Sequence, residues 1–326
     1  MFWRSYVMPA KHGAPPLAIA LQGGGAYGAF TWGVLDRLLR EEDVYPNAFS
    51  GASAGAVNAV LAAWGLLQGG REGARAALGR FWTEVGQKAL LSPMALPGAD
   101  LHVDLWTRLF SPYQFNPLNL NPLRDLLGSM IDFEALRHSG EIAMFISATD
   151  VVTGEPRIFR ESELSLDVLM ASTCLPHLSQ AVEIDGRRYW DGGLSANPPI
   201  LPMVLETPCR TLLVVKLTPD EEPNLPVAAS DIMSRLRRIL LNGSLHRDLV
   251  ALGEMRNLLS RSNLFSSDLR RIRDLTVRQV TIDHQFFTTP GGSAIHPRPD
   301  SLEKLRDAGI AAVDALMHAA APGDQA

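Results

Sequence analysis

The sequence predicts an α/β fold with a mostly parallel central sheet, because strand–turn–helix units occur twice in succession near its start. The apolar run Leu17–Leu21 is followed by a glycine turn and by a helix over Phe30–Arg40 with apolar residues at helical spacing. A second strand over Ala48–Ala52 leads into a helix from Ala54 to about Leu67. The first strand does not alternate polar and apolar residues, which is typical of a parallel sheet covered by helices on both faces.

Later segments continue this alternation of strands and helices. Asp185-Gly186 is predicted to be a two-residue hairpin turn between two short strands. The remaining predicted elements are helices over Ala74–Val85, Asp231 to about Ser260 and Ser301–Met317, and strands over Ile142–Ala148, Val182–Ile184, Arg188–Trp190, Leu212–Leu217 and Val277–Ile282.

Length and composition favour one large globular domain. The chain has 326 residues, of which 46% are hydrophobic and 20% charged, and this excludes a disordered, collagen-like or coiled-coil protein. We expect a loose N-terminal arm over 1–16 and one domain over 17–320, with a helical C-terminal portion over 229–320. Residues 92–123 combine helix-breaking prolines with aromatic residues, so they form either a lid or pocket wall, or an ordinary packed loop.

Charge, cysteine content and hydropathy bound the function and the location. The net charge of −5 gives no global case for nucleic-acid binding. Cys174 and Cys209 are interpreted as free thiols in a reducing compartment. The longest apolar stretch, 54–67, is shorter than the about 20 residues of a membrane span, so we expect a cytoplasmic protein. Residues 231–273 hold nine arginines against four acids, which indicates a solvated helix face or a contact with anionic lipid headgroups.

The turn after the first strand, Gly23-Gly24-Gly25-Ala26-Tyr27-Gly28, matches the G-x-G-x-x-G pattern of dinucleotide sites. Such a site also needs an acidic residue near the end of the second strand, and none is present there. Consecutive glycines can instead turn their N–H groups into a concave surface that binds an oxyanion. We therefore expect Gly23, Gly24 and Gly25 to form an oxyanion hole.

The turn after the second strand, Gly51-Ala52-Ser53-Ala54-Gly55, has the G-x-S-x-G pattern of a nucleophile elbow. Gly51 and Gly55 leave room for a tight turn, and Ser53 is exposed at a helix N-terminus, where unpaired N–H groups favour a developing negative charge. Both turns follow strands of a parallel sheet, whose carboxyl ends form binding sites. Together they predict acyl transfer with Ser53 as the nucleophile.

A serine nucleophile needs a proton acceptor, and two kinds of residue are candidates. None of the eight histidines lies in a glycine-flanked turn, and His177 and His284 have the best contexts. Asp191 ends a predicted strand directly before Gly192-Gly193, in a turn that gives access to the backbone. Asp-Gly-Gly is also an ordinary β-turn sequence, so the motif alone leaves both interpretations open.

In chain order, the glycine turn with Gly28, the Ser53 elbow and Asp191-Gly192-Gly193 resemble the three signature blocks of the patatin-like phospholipases. Segments 171–176 and 197–199 resemble further parts of that family, so the likeness covers about residues 17–217. The resemblance implies a three-layer α/β sandwich and a serine acyl hydrolase of lipid esters, without metal or cofactor.

The same resemblance assigns roles to individual residues. It implies that Ser53 is the nucleophile and Asp191 the base of a dyad, while the N–H groups of Gly24, Gly25 and Ala54 hold the oxyanion. Tyr27 stands where the family usually has an arginine, so a positive charge is missing from the loop.

An aspartate of ordinary pKa is a weak base for a serine hydroxyl, so the dyad makes a structural prediction. Asp191 is expected to be partly buried, because burial raises the pKa of a carboxyl group, and to lie within hydrogen-bond reach of Ser53.

Two other classes of function share these motifs. A Ser–His–Asp esterase would use His246 or His284 as its base, although 30 residues between Gly23 and Ser53 is a short separation for such enzymes. A non-catalytic nucleotide- or lipid-binding module would keep the same fold. For the hydrolase, the expected partners are a lipid ester substrate and, peripherally, an anionic membrane surface.

Overall fold

A computed structural model of the chain describes residues 16–91, 111–219, 221, 225–262, 266–288 and 298–320. The expected N-terminal arm over 1–16, apart from residue 16, and most of the segment 92–123 lie outside these residues. The division into an arm, one domain and a helical C-terminal portion therefore stays a prediction.

The described strands form one eight-stranded sheet. Their bounds are β1 Leu17–Leu21, β2 Pro46–Gly51, β3 Ala143–Asp150, β4 Pro156–Phe159, β5 Val182–Ile184, β6 Arg187–Asp191, β7 Thr211–Lys216 and β8 Thr276–Thr281. Strands β3, β2, β1, β7 and β8 are neighbours in that order and run parallel. Strands β4 and β6 pair antiparallel with β3, and β5 pairs antiparallel with β6. The sheet is mostly parallel, as the sequence predicts.

Helices connect these strands and cover them. Their bounds are α1 Gly28–Leu38, α2 Ala54–Leu91, α3 Pro112–Phe115, α4 Pro122–Met130, α5 Phe133–Ser139, α6 Leu166–Ser172, α7 Leu201–Glu206, α8 Ala229–Ser260, α9 Ser267–Arg273, α10 Gln285–Thr288 and α11 Pro299–Ala320. Helix α2 joins the two helices that were predicted over 54–67 and 74–85, with non-helical backbone at Gly69 and Gly70 between them.

Alternate residues of β1 pack into different layers. Ile19 and Leu21 belong to the core on the side of α1, α2 and α11. Ala18 and Ala20 belong to a second core, formed with α7, α8 and α9. Side chains of a strand point alternately to the two faces of its sheet, so the sheet is the middle of three layers. This confirms the predicted α/β sandwich.

The register of the sheet brings three strand ends to one level. Leu21 of β1 lies opposite Gly51 of β2, and Gly51 lies opposite Ile146 of β3. Ala148, two residues further along β3, pairs with Asp191 at the end of β6. The turns that follow β1, β2 and β6 therefore meet at the same edge of the sheet.

A buried charge near the C-terminal end of α1 joins this helix to α2 and α11. Asp36 of α1 is 3% exposed and receives hydrogen bonds from Arg40, from Arg75 of α2 at 2.8 Å, and from Arg306 of α11 at 3.1 Å. Burial of the carboxylate opposes ionisation, but the three arginines together lower the pKa of Asp36 below its usual value.

The sequence also led to expectations about the two cysteines and about membrane-spanning segments. Cys174 and Cys209 are free, as expected, and both are buried. In the described part of the chain, none of the helices combines the length and the apolar character that crossing a bilayer requires.

Candidate active site

Ser53 lies in the turn between β2 and α2 with a backbone φ of 51°. A residue other than glycine in this left-handed region costs about 1 to 3 kcal/mol, so the surrounding structure must hold it there. Its N–H donates to the backbone carbonyl of Ser172 at 3.1 Å and to the Ser172 hydroxyl at 3.0 Å. Ser53 therefore has the strained strand-to-helix turn that the G-x-S-x-G pattern predicts.

Gly55 allows the start of α2 to lie directly against the end of β1. A Cβ atom at this position would be 2.0 Å from the carbonyl oxygen of Leu21, so no side chain fits there. Gly51 similarly passes close to the backbone of residues 55 and 56. The spacing of the two motif glycines thus places the positive end of α2, and Ser53 with it, beside the glycine turn.

Gly23 contacts the Ser53 turn closely. A Cβ atom on Gly23 would be 2.8 Å from Cβ of Ser53 and 2.7 Å from the carbonyl oxygen of Ala52. The Gly23 N–H, however, donates to Oδ1 of Asn197 at 2.6 Å. This corrects the expectation that Gly23 is an oxyanion donor: its N–H already has an acceptor, and the residue acts by letting the two turns approach each other.

The other expected donors differ from Gly23. The N–H groups of Gly24, Gly25 and Ala54 form no hydrogen bond within the described residues. Gly25 has a φ of 59°, a conformation suited to glycine, and Ala54 is the first residue of α2. A helix leaves its first N–H groups without intrahelical partners, so Ala54 can donate to a ligand.

Asp191 is held rigidly at the end of β6. Its backbone N–H donates to the Cys174 carbonyl at 2.8 Å, and its own carbonyl accepts from the Thr149 hydroxyl at 2.8 Å. The carboxylate is also fixed, because Oδ1 accepts from the Gly193 N–H at 2.7 Å. The aspartate is only 2% exposed, so it is more deeply buried than the sequence led us to expect.

Burial raises the pKa of Asp191 to about 6, although interactions with the Ser53 hydroxyl and the Gly193 N–H favour the ionised carboxylate. Both groups line the same cavity, so the Ser53 hydroxyl is a neighbour of this carboxylate, although no well-formed hydrogen bond joins them. Oδ2 is buried and has no hydrogen-bond partner within 3.5 Å among the described residues. Catalytic hydrogen bonds are often longer without substrate, and Oδ2 is the oxygen with capacity to accept a proton.

A cavity of about 500 Å³ opens at this edge of the sheet. Gly23, Gly24, Gly25, Ser53 and Asp191 all line it, so the structure brings together residues that lie up to 168 positions apart. Most of the other lining is apolar and includes Leu175, Leu178, Leu194, Leu217, Leu241 and Phe287. The cavity has the size and the mixture of apolar wall and few polar groups that are usual for small-molecule sites.

Helix α8 brings positive charge to the cavity. Arg237 and Arg238 line it together with Tyr27. The guanidinium of Arg238 lies 5.5 Å from the ring centre of Phe287, whose ring stacks on Tyr27 at 4.6 Å. Burial raises the pKa of Tyr27, and the charge of Arg238 acts in the opposite direction. Helix α8 therefore brings a cation close to the glycine turn, at the position where Tyr27 stands instead of an arginine.

The histidines are distributed unevenly around the site. His177 lines the cavity and is solvent-exposed. His246 and His284, the residues considered as bases for a Ser–His–Asp esterase, do not line it. Within the described ranges, no three histidine, cysteine, aspartate or glutamate side chains form a group that could hold a metal ion.

Asn197 was not recognised as a site residue, although it belongs to segment 197–199. It is fully buried and bonds both the glycine turn and α8: Oδ1 accepts from Gly23, and Nδ2 donates to the Leu241 carbonyl at 3.0 Å. Its N–H donates to the Ser244 hydroxyl at 2.9 Å. Ser172, which fixes the Ser53 backbone, lies in the other such segment, 171–176. Sequence likeness marked both segments, but only the fold shows what they do.

The remaining motif glycines allow close packing around these residues. A Cβ atom on Gly192 would be 2.1 Å from the Ser147 carbonyl oxygen, and one on Gly28 would be 2.9 Å from Cβ of Ala54. Gly193 donates the hydrogen bond to Asp191 described above. Their positions explain why glycine is required in the first and third blocks.

Three groups meet at one cavity of this α/β sandwich: a serine in a strained elbow, a turn lined by backbone amides, and a buried carboxyl group. This is the class of site found in serine acyl hydrolases. Residues 19–204, more than half of the chain, match the family model described as patatin-like phospholipase, and the chain belongs to that family.

Among relatives, the uncharacterized protein YjjU of Escherichia coli K12 is 27% identical over 207 residues, which are 63% of this chain and 53% of YjjU. The chain thus spans about half the length of this curated relative. Among solved structures, VipD from Legionella pneumophila is 15% identical with a TM-score of 0.42, covering 90% of this chain and 67% of VipD. A chain of the heterodimeric ExoU–SpcU complex from the type III secretion system of Pseudomonas aeruginosa is 17% identical with a TM-score of 0.36. The match covers 81% of this chain and 58% of that chain.

Proposed function

We propose that the protein is a serine acyl hydrolase that cleaves carboxylic esters of lipids, in the manner of a phospholipase A or lysophospholipase. The observation that carries this proposal is the position of Ser53 beside the buried Asp191 carboxylate and the amides of the glycine turn, in one largely apolar cavity. Membership of the patatin-like phospholipase family supports it.

In the first step, Asp191 takes the proton of the Ser53 hydroxyl as the serine oxygen attacks the ester carbonyl. Burial makes this transfer feasible, because a carboxyl with a pKa of about 6 is a stronger base than an exposed aspartate and is still mostly ionised near neutral pH. The hydrogen bond from Gly193 keeps the carboxylate oriented while the proton moves.

The attack produces a tetrahedral intermediate with a negatively charged oxygen. The N–H groups of Gly24, Gly25 and Ala54 are the donors for this oxygen, and the positive end of α2 adds to their effect. Removal of one such donor from an oxyanion hole typically costs about 10²- to 10³-fold in rate. Asn197 positions the loop through Gly23, so it orients these donors without touching the substrate.

Collapse of the intermediate expels the alcohol or lysolipid, which receives the proton from Asp191, and leaves the acyl group on Ser53. Asp191, again ionised, then removes a proton from a water molecule that attacks the acyl-enzyme. The second tetrahedral intermediate breaks its bond to Ser53 and releases the fatty acid, and the Ser53 oxygen takes the proton back from Asp191. The leucines and Phe287 that line the cavity suit an acyl chain. Arg237 and Arg238 suit the phosphate of a phospholipid, because guanidinium groups bind phosphate oxygens in pairs.

A second candidate base is His177, since it lines the cavity. A Ser53–His177 mechanism would still be acyl hydrolysis. Asp191 would then not accept the proton and would only orient the histidine or stabilise its positive charge. The solvent exposure of His177 argues against it, whereas the Asp191 carboxylate is buried and interacts with the Ser53 hydroxyl.

The proposal is tested by labelling the full chain with a fluorophosphonate and by measuring hydrolysis of p-nitrophenyl esters of several chain lengths and of phosphatidylcholine. Labelling and hydrolysis are expected to vanish in Ser53→Ala. His177→Gln, on the same cavity wall, distinguishes the two candidate bases and should retain activity within about threefold of the wild type if Asp191 is the base, because replacing an exposed side chain has little effect on the fold.

Persistent labelling of Ser53→Ala would identify another nucleophile. Loss of hydrolysis in His177→Gln, with Asp191→Asn still active, would replace the dyad by a serine–histidine mechanism.

A further inference from the structure

The first three turns of α8 carry a stripe of large apolar side chains on the outer surface. Ile232, Met233, Leu236, Ile239 and Leu240 are 41%, 55%, 48%, 50% and 68% exposed. Their spacing of one, three and four residues places them on one face of the helix, which we call the outer stripe. A contiguous exposed apolar patch of this kind marks a surface that contacts a partner or a membrane.

The opposite face of the same helical segment forms part of the site. Ser234, Arg238 and Leu241 line the cavity, and the Leu241 carbonyl accepts the hydrogen bond from Asn197. At 100° per residue, these positions are turned by about 150° from the centre of the outer stripe. The segment is therefore a wall between the cavity and whatever lies against the outer stripe.

Arginines border the outer stripe on both sides. On the helical wheel Arg235 lies beside Ile239, and Arg237 lies beside Met233. Together with Arg238 they make residues 229–240 net positive, with Asp231 as the one acid there, although the whole chain carries −5. An apolar stripe flanked by arginines is the pattern of a helix that lies in the plane of an anionic lipid surface, because the arginine stems reach past the acyl region to the headgroups.

The chain entering α8 extends the same apolar character. Leu225 and Val227, just before the helix, are 87% and 81% exposed. Charge decides between the kinds of partner: a second copy of this acidic chain would meet its own arginines, whereas anionic headgroups complement them.

We propose that the outer stripe docks the protein on a membrane surface containing anionic phospholipid. The first three turns of α8 then lie flat in the headgroup region, and the cavity is on the opposite face of the same helical segment. This extends the proposed function, since it states where a lipid hydrolase would meet its substrate. Binding through the outer stripe does not itself require hydrolysis, and the two ideas can fail separately.

The test measures co-sedimentation of the full chain carrying Ser53→Ala with vesicles of phosphatidylcholine alone or mixed with phosphatidylserine. This protein is expected to bind the mixed vesicles, and Leu236→Ser with Leu240→Ser should weaken binding about 10-fold or more through lost apolar burial. Arg235→Gln should weaken it about fivefold, and only on the mixed vesicles. Neither leucine nor Arg235 lines the cavity.

Leu258→Ser is the matched control, because Leu258 is 67% exposed on the same helix but about 27 Å beyond Leu240. It should bind vesicles like the Ser53→Ala parent. In the otherwise wild-type chain, the double leucine variant should retain hydrolysis of a soluble short-chain ester and lose hydrolysis of vesicle lipid.

Three results would overturn the docking proposal. They are absence of binding to the mixed vesicles, equal binding by the double leucine variant and its parent, and a dimer in sedimentation that the leucine substitutions dissociate. If vesicle binding behaves as expected but no ester is hydrolysed, the docking surface stands and the proposed enzymatic function fails.

Discussion

Asp36 and Asp191 are almost equally buried, at 3% and 2% exposure, yet their surroundings treat the negative charge in opposite ways. Three arginines surround Asp36 and lower its pKa in spite of burial. The Asp191 carboxylate accepts a hydrogen bond from the Gly193 N–H but forms no ion pair within the described residues, and burial raises its pKa to about 6. Burial alone therefore does not decide the protonation of a carboxyl group; the partners do.

The contrast separates a structural charge from a reactive one. The ion pairs of Asp36 connect α1, α2 and α11, so its charge is compensated and stabilises the packing. The charge of Asp191 is left uncompensated next to Ser53, which costs stability but leaves a basic oxygen available. Three substitutions test this distinction.

The largest expected effect is on catalysis. Asp191→Asn removes the base, and kcat for a soluble ester should fall about 10³- to 10⁴-fold, as when a general base is lost from a serine hydrolase. Asp36→Asn, assayed at a temperature where it remains folded, should keep a kcat within about threefold of the wild type. Activity of Asp191→Asn within tenfold of the wild type would show that this carboxylate is not the base.

The next effect is on stability. Asp36→Asn leaves three arginines around a neutral amide, and urea unfolding at neutral pH should show a loss of about 3 kcal/mol, the low end for breaking a buried ion pair, because the arginines are partly exposed. Asp274→Asn is the control: this carboxylate is 61% exposed and paired with Arg273, so its replacement should cost much less stability than that of Asp36. Equal losses of unfolding free energy in the two variants would show that the buried ion pairs of Asp36 do not stabilise the fold.

The smallest effect has the opposite sign. The pKa of Asp191 is raised on folding from 3.8 to about 6, so the folded state binds its proton more tightly than the unfolded state. Its contribution to stability is then present below pH about 4 and is lost as the pH rises through about 6. Asp191→Asn abolishes this loss and should stabilise the protein at neutral pH by at most about 3 kcal/mol.

A pH series of urea unfolding measures this gain. The advantage of Asp191→Asn should shrink as the pH is lowered towards 4. Asp36→Asn should show the reverse trend, since the lowered pKa of Asp36 stabilises the fold above about pH 4 and less in acid. A pH-independent difference between Asp191→Asn and the wild type would contradict the raised pKa.

Local patterns in the sequence were sufficient for the first parallel strand and for one antiparallel hairpin. The strand predicted over Leu17–Leu21 has the same bounds in the structure, and the hairpin at Asp185-Gly186 has positive φ at both turn residues. These features depend on adjacent residues: an uninterrupted apolar run, or two residues that tolerate a left-handed backbone. The order of the three motifs also predicted which strand ends carry the site.

Features that depend on distant residues were not predicted. The hydrogen bond from Gly23 to Asn197 spans 174 positions, and it removes one of the four expected oxyanion donors. Arg238 approaches Tyr27 only because α8 folds back over the cavity. Short helices such as α6 and α7, of seven and six residues, were also missed, because so few residues do not display helical periodicity.

The left-handed backbone of Ser53 has an evolutionary consequence. Glycine adopts that conformation without strain, and an amide side chain at position 191 would remove the buried charge. Selection for folding stability alone would therefore favour substitutions at both positions that inactivate the enzyme. A lineage that keeps a hydroxyl at 53 and a carboxyl at 191 is therefore retaining them against the gradient of folding stability, which is the signature of selection for chemistry.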